Sequence, residues 1–269
     1  MIFKNNVHYI KRNNIMQINN SRAIVSGGAS GLGLAAAEKV IGLGGKVALI
    51  DINESGENNA SKLGKKAIFI KADISSEKDI KIAVSSAHEF LDGANLVVNC
   101  AGVIGAARAL GRNGPMPLDF FTKTIEINLI GSFLLIKECA HLMESNTANQ
   151  DGERGVIINT ASVAAFEGQI GQAAYSASKA GIVGMTLPLA REFARIGVRV
   201  NTIAPGIFKT PMVSGMTEEL QKSLGDQVPF PSRLGRPEEF ADLVVSIYEN
   251  AMINGETIRL DGAIRMQPK

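Results

Sequence analysis

Tyr175 and Lys179 stand four residues apart in the run AAYSASKAG, so on a helix both side chains project from one face. Tyrosine is a poor base at neutral pH because its ordinary pKa is about 10. A neighbouring ammonium stabilises the phenolate and lowers that value, which suits the pair to removing a hydroxyl proton. Ser162 follows the apolar run Gly155–Thr160, where its hydroxyl can hydrogen-bond a substrate oxygen and stabilise developing alkoxide charge. Each residue alone is ordinary. Ser162 also reads as a loop hydroxyl, and Tyr175 as a core aromatic with a wet hydroxyl.

A second constellation lies upstream. The run Ser26-Gly27-Gly28-Ala29-Ser30-Gly31-Leu32-Gly33 joins an apolar strand to the helical stretch LAAAEKVIGL. Glycines allow a sharp turn and close approach of backbone to a pyrophosphate, and the helix N-terminus offers free N–H groups and a positive dipole end. Asp51 ends the next apolar run, KVALID. A carboxylate there can accept from both hydroxyls of an adenosine ribose and repels a 2′-phosphate. No Arg or Lys occurs among Ala29, Ser30, Ile52 and Asn53, so NAD is expected rather than NADP. The plainer reading makes Asp51 a cap for a helix beginning near Glu54.

These residues need a scaffold that alternates strands and helices. Seven runs read as strands: Arg22–Ser26, Lys46–Asp51, Ala67–Ala72, Asn95–Asn99, Gly155–Thr160, Val198–Ile203 and Glu256–Leu260. Most are continuously apolar, the pattern of parallel strands covered on both faces. Helical stretches separate them at Leu32–Leu43, Glu77–Phe90, Leu118–Met143, Ala173–Arg195 and Glu238–Asn250. The expected fold is α/β, a Rossmann-type doubly wound sheet of seven parallel strands in a single domain over 21–269. Val103–Pro117 and Thr210–Arg236 read as long irregular stretches, which at the carboxyl ends of such strands build substrate sites.

Composition narrows the function classes. The 269 residues are 45% hydrophobic and 20% charged, with a formal net charge of +2. That suffices for a large core, and with Lys and Arg scattered no direct nucleic-acid binding is expected. Cys100 and Cys139 both lie in apolar segments and read as packing thiols in a reducing compartment. His8, His88 and His141 lack metal-ligand spacing, and no metal is expected. No apolar run is long enough to span a membrane. Met1–Asn20, Asn-rich and without an acid before Glu38, reads as a disordered extension, or as sequence upstream of a true start at Met16. A cytoplasmic protein is expected; a weak basic presequence for the mitochondrial matrix is the alternative.

The glycine turn, Asp51, Ser162, Tyr175 and Lys179, in that order, resemble the short-chain dehydrogenase/reductase family from about Ser21 to the C-terminus. Further marks are Gly27, Gly31 and Gly33, Asp73 after the third strand, and Asn99-Cys100-Ala101-Gly102 after the fourth. Asn128 in IEINLIGSF follows, then Pro205-Gly206 and Thr210. The commoner fourth-strand motif has Asn at the place of Cys100, a change that leaves the backbone contact available.

The resemblance implies a nicotinamide dinucleotide against Ser30, Gly31, Leu32 and Asp51, then Asp73 and Ile74. It continues along Asn99 to Gly102, then Pro205, Phe208 and Thr210. It also implies that Tyr175 and Lys179 contact this cofactor, Lys179 through the nicotinamide ribose. Asn128 is implied to hold a water linking Lys179 to solvent; by itself it reads equally as a buried amide bonded to backbone. Gln172, three residues before Tyr175, resembles a substrate-contacting position, and otherwise reads as an exposed residue at a helix start. A homotetramer through Leu118–Met143, Ala173–Arg195 and the last strand is implied as well.

The stretches GERGVIINTASVAAFEGQIGQAAYSASKAG, VPFPSRLGRPEEFA and NGETIRLDGAIRMQP resemble the branch of the family that oxidises 3-hydroxyacyl-CoA. The likeness weakens across Ala106–Pro117, in the loop expected to shape the acyl pocket. The expectation is NAD-dependent oxidation of a 3-hydroxyacyl-CoA, with or without a 2-methyl branch, in fatty-acid or branched-chain amino-acid breakdown. A hydroxysteroid or other secondary-alcohol dehydrogenase is the alternative within the class, and Asp51 speaks against an NADPH-linked 3-oxoacyl reductase. From another class comes a scaffold subunit in RNA processing, against which the intact Ser162–Tyr175–Lys179 set argues.

Overall fold

The computed structural model describes residues 16–112 and 114–268. In chain order it runs β1 (Arg22–Ser26), α1 (Gly31–Gly42), β2 (Lys46–Asp51), α2 (Ser55–Leu63), β3 (Ala67–Lys71), α3 (Glu77–Leu91) and β4 (Leu96–Asn99). A small antiparallel hairpin follows, β5 (Leu110–Gly111) and β6 (Gly114–Pro115), and then α4 (Leu118–Ile125), α5 (Gly131–Met143), β7 (Gly155–Thr160) and α6 (Ala173–Phe193). The last elements are β8 (Val198–Pro205), α7 (Pro211–Ser214), α8 (Glu218–Asp226), α9 (Pro237–Glu249) and β9 (Thr257–Leu260).

Seven strands form one parallel sheet in the order β3-β2-β1-β4-β7-β8-β9. All seven expected strands are present, with ends moved by at most two residues. Their apolar runs are explained by burial on both faces. Ile24, Ile50, Val97 and Ile157 meet α3, α5 and α6 on one side. Ala23, Val25, Leu49 and Val98 meet α1 and α9 on the other. The strand order reverses direction between β1 and β4, which opens a crevice at their carboxyl ends.

Local chemistry sets several boundaries. Ser76 caps α3 by accepting from the Asp79 N–H at 3.2 Å, with Glu77 and Asp79 in the first turn. The helix stops at Asp92, which adopts a left-handed φ of 58°. At the far end of the sheet, the buried Arg199 guanidinium donates to Glu153 Oε1 at 2.5 Å. It also donates to the carbonyls of Ile247, Tyr248 and Ile253, each at 2.8 Å. A cation thereby satisfies the open carbonyls where α9 ends.

Three expectations need correction. The helix expected over Leu118–Met143 is broken by a π turn at Glu126–Ile130, whose extra residue re-aims Asn128. Thr210–Arg236 is not irregular throughout, because Pro211 opens α7 and the Thr217 hydroxyl caps α8 through the Leu220 N–H. The extension expected over Met1–Asn20 falls for residues 1–15 outside the described ones. Its remainder packs on the domain: Ile18 is buried and donates its N–H to Glu249 Oε1 at 3.0 Å.

Candidate active site

The turn after β1 is built for close backbone approach. Gly27 and Gly31 hold φ of +65° and +56°, a region open to glycine and strained for other residues. A Cβ on Gly33 would lie 2.3 Å from the Gly27 carbonyl oxygen, and one on Gly27 would lie 2.7 Å from the Ala101 nitrogen. The α1 N-terminus therefore stands directly over the crevice. Asp51 Oδ2 accepts from the Ala29 N–H at 3.0 Å, while Asn59 donates to the Ala29 carbonyl at 2.8 Å. Asp51 Oδ1 accepts from the Asn53 N–H at 2.9 Å. Asp51 thus ties the turn to the end of β2. It does not cap α2, whose entry is instead served by Asn53 accepting from the Ser55 N–H.

A cavity of 1130 Å³ runs from this turn to Tyr175, slightly above the usual range for small-molecule sites. Gly27, Ser30, Gly31, Leu32 and Gly33 line it at the turn, and Asp51, Asp73 and Ile74 along one flank. Cys100, Ala101 and Gly102 follow from β4, then Pro205, Phe208 and Thr210 from beyond β8. Ser162, Gln172, Tyr175 and Lys179 close the inner end. The crevice, the exposed helix N-terminus and a carboxylate at the outer end fit a nicotinamide dinucleotide.

Asn99 and Asn128 lie beneath the cavity floor. Ser26 Oγ donates to Asn99 Oδ1 at 2.9 Å, and Asn99 Nδ2 donates to Asn159 Oδ1 at 3.1 Å and to the Ser132 carbonyl at 3.3 Å. Ser132 Oγ donates to the Asn128 carbonyl at 2.8 Å. The Asn128 amide clamps Val103 from both sides: its Oδ1 accepts from the Val103 N–H at 2.8 Å, and its Nδ2 donates to the Val103 carbonyl at 3.0 Å. The same nitrogen donates to Ser178 Oγ at 3.0 Å. A polar seam therefore crosses β1, β4, β7 and the π turn under the site. Ser178 and Val103 are the contacts that the sequence reading missed.

At the inner end, Ser162 Oγ accepts from the Ala164 N–H at 3.1 Å, and its hydroxyl acts to lower the pKa of Tyr175. Lys179 is buried, and its Nζ donates to the Thr160 carbonyl at 2.8 Å while lying 5.9 Å from the Tyr175 ring centre. The expected lowering of the Tyr175 pKa by Lys179 is not what this geometry gives. Burial raises the Tyr175 hydroxyl above its ordinary value, and the Ser162 hydroxyl opposes that rise. Burial also brings the Lys179 ammonium down to about 8. Cys100, 3.3 Å from Thr160 Oγ1, has its thiol pushed up by burial to about 11, so it stays a neutral wall group. Gln172 stands just before α6, and its Oε1 accepts from the Gln169 N–H at 2.9 Å, leaving its amide N–H groups as donors.

A family model described as short chain dehydrogenase matches residues 21–221. The chain belongs to the short-chain dehydrogenase family. It is an oxidoreductase acting on CH–OH groups, and a nicotinamide cofactor follows from the family. It is 54% identical over 249 residues to the 3-hydroxyacyl-CoA dehydrogenase type-2 of Bos taurus, covering 91% of this chain and 95% of that one. It is 50% identical over 254 residues to the enzyme of the same name from Drosophila melanogaster, covering 93% and 100%. The crystal structure of 3-hydroxyacyl-CoA dehydrogenase type-2 from Mycobacterium avium superposes with a TM-score of 0.87 at 39% identity, covering 94% and 99%.

Within the family frame, further wall residues that the sequence reading did not single out are Ile127, Val163, Ile207 and Met266. Ile127, Val163 and Ile207 had a signal, each standing next to a family mark at Asn128, Ser162 or Gly206. Among the described residues no group of three His, Cys, Asp or Glu side chains could hold a metal, and no helix is long and apolar enough to cross a membrane.

Proposed function

We propose that this protein is an NAD-linked 3-hydroxyacyl-CoA dehydrogenase, straight-chain or 2-methyl-branched. The observation that carries the reading is the convergence of Ser162, Tyr175 and Lys179 at the inner end of a crevice whose outer end is Asp51. The extended identity to relatives bearing that name supports the substrate class.

Bound nicotinamide supplies the hydride acceptor. Ser162 donates to the substrate oxygen and stabilises the charge that develops there. Tyr175 takes the hydroxyl proton in oxidation and returns it to the ketone in reduction. Lys179, held by Thr160, would donate to the nicotinamide ribose when the cofactor is bound. Asn128 fixes the loop at Val103, and the family resemblance assigns it the water that would link Lys179 to solvent. Asp51 accepts from the adenosine ribose hydroxyls, which favours NAD over NADP.

Exposed apolar side chains on the two expected assembly helices, Leu118, Ile130 and Phe133 on the first and Leu187 on the second, support a homotetramer. Sedimentation showing only a monomer of 28.5 kDa would reject it.

The test of function is the initial rate of NADH oxidation with acetoacetyl-CoA and 2-methylacetoacetyl-CoA, with NADPH as control. Turnover of either thioester with NADH is expected. Absence of turnover with NADH binding intact overturns the thioester assignment and moves the substrate to steroids or other secondary alcohols.

A further inference from the structure

The chain beyond β9 is held to the active-site wall by more contacts than a surface tail requires. It turns through Gly262 and Ala263, both with positive φ, and buries Ile264. From there the Gln267 carbonyl accepts from Gln169 Nε2 and the Pro268 carbonyl from the Ile170 N–H, each at 3.0 Å. Glu167, in the same loop after β7, accepts both Nη groups of Arg259 at 2.6 and 2.8 Å. It also lies 3.4 Å from Arg265 Nε. Arg259 in turn stacks over Phe166 at 5.2 Å and donates to Asp261 at 2.7 Å. A single exposed ion pair contributes little, but a bidentate pair in a shared network fixes geometry.

The loop gripped in this way begins beside Ser162 and ends at Gln172, on the substrate side of the crevice and away from the glycine turn. Among the described residues of the tail, Met266 alone lines the cavity. Its half-buried side chain adds an apolar wall where the loop supplies hydroxyl and amide groups.

We propose that Met266 is the specificity-determining residue for the acyl chain, a movable apolar wall on a backbone fixed by Glu167 and Gln169. The inference rests on the reading of the protein as a hydroxyacyl-thioester dehydrogenase. An unbranched thioether with three rotatable bonds fills irregular gaps and tolerates different neighbours, which suits a pocket that admits straight and branched chains. Shortening it opens space for longer chains, and an aromatic ring closes that space.

The test measures Kd for butyryl-CoA and octanoyl-CoA on the NADH-loaded enzyme by calorimetry, for wild type, Met266→Ala and Met266→Phe. Met266→Ala is expected to raise the preference for octanoyl over butyryl by about fivefold, and Met266→Phe to lower it by a similar factor, an effect the size of one or two methylenes. A merely structural role weakens both ligands together and leaves their ratio unmoved. The proposal is overturned if both variants keep the ratio within about twofold of wild type, or if wild type binds neither ligand. Turnover of acetoacetyl-CoA is measured alongside. Turnover with unmoved ratios removes the role of Met266 and keeps the functional reading. Moved ratios without turnover do the reverse.

Discussion

Lys179 Nζ donates to the Thr160 carbonyl at 2.8 Å, so the catalytic helix α6 is bonded through its lysine to the last residue of β7, two positions before Ser162. The ammonium is held by backbone, and burial raises the Tyr175 pKa. Burial lowers the Lys179 pKa to about 8, below its unfolded value of about 10.4. The sign follows from linkage: below pH 8 the folded protein carries the full cost of a buried charge, and that cost is relieved as pH rises from about 8 to about 10.4. Lys179→Met is therefore expected to lose turnover yet unfold at equal or higher urea concentration at pH 7. The wild type should gain stability relative to the variant, on the order of 2 to 3 kcal/mol, as pH rises through that window. Parallel urea curves at pH 7, 8.5 and 10 check it, and a constant gap would contradict it.

Tyr175→Phe is expected to keep NADH binding, read by fluorescence titration, and to lose about 10³-fold or more in kcat. Because burial raises the Tyr175 pKa, its phenolate fraction grows across the neutral and alkaline range. Wild-type oxidation should speed up from pH 7 to 9 while ketone reduction does not. A flat oxidation profile would mean that another group takes the proton.

Asp51→Ala is expected to narrow the preference for NAD over NADP by about tenfold or more, since it removes both the ribose acceptor and the charge that repels a 2′-phosphate. The ratio of kcat/KM for the two cofactors reads this directly. An unchanged ratio would mean that Asp51 serves only to tie the glycine turn through Ala29.

Asn128→Asp keeps the size of the side chain but removes the donors to Val103 and Ser178. It leaves a buried carboxylate against two acceptor oxygens, so a loss of about 3 kcal/mol is expected. Thermal unfolding checks it, and Asn128→Ser, small and polar, should be milder.

Sequence alone located most of this framework because burial on both faces writes strands as unbroken apolar runs. The glycine turn was legible from sterics, and Ser162, Tyr175 and Lys179 from their order. The π turn at Glu126–Ile130 was not legible, since IEINLI carries an ordinary helical pattern and the extra residue answers to tertiary contacts of Asn128. Met266 lay within the resembling stretch NGETIRLDGAIRMQP, but its place at the site was not legible, since the partners of Glu167 bring that tail there. Helix α8 had a readable signal in Thr217 followed by Glu218 and Glu219, an N-cap with acids in the first turn. The burial that raises the Tyr175 pKa was not legible, because spacing shows that Lys179 shares its face and does not show that Thr160 holds the ammonium.

The strands of the central sheet are close to interchangeable in their apolar content: VALI, LVV and VII could pair in several alignments at similar hydrophobic gain. Ser26, Asn99 and Asn159 pair across β1, β4 and β7 in one alignment, Ser26 beside Asn99 and Asn99 beside Asn159. A slip of one residue turns each buried amide to the opposite face, against hydrocarbon, and each lost partner costs about 1 to 3 kcal/mol. The polar groups beneath the site thus act as a proofreading device for folding, rejecting misaligned sheets that the hydrophobic effect alone would tolerate.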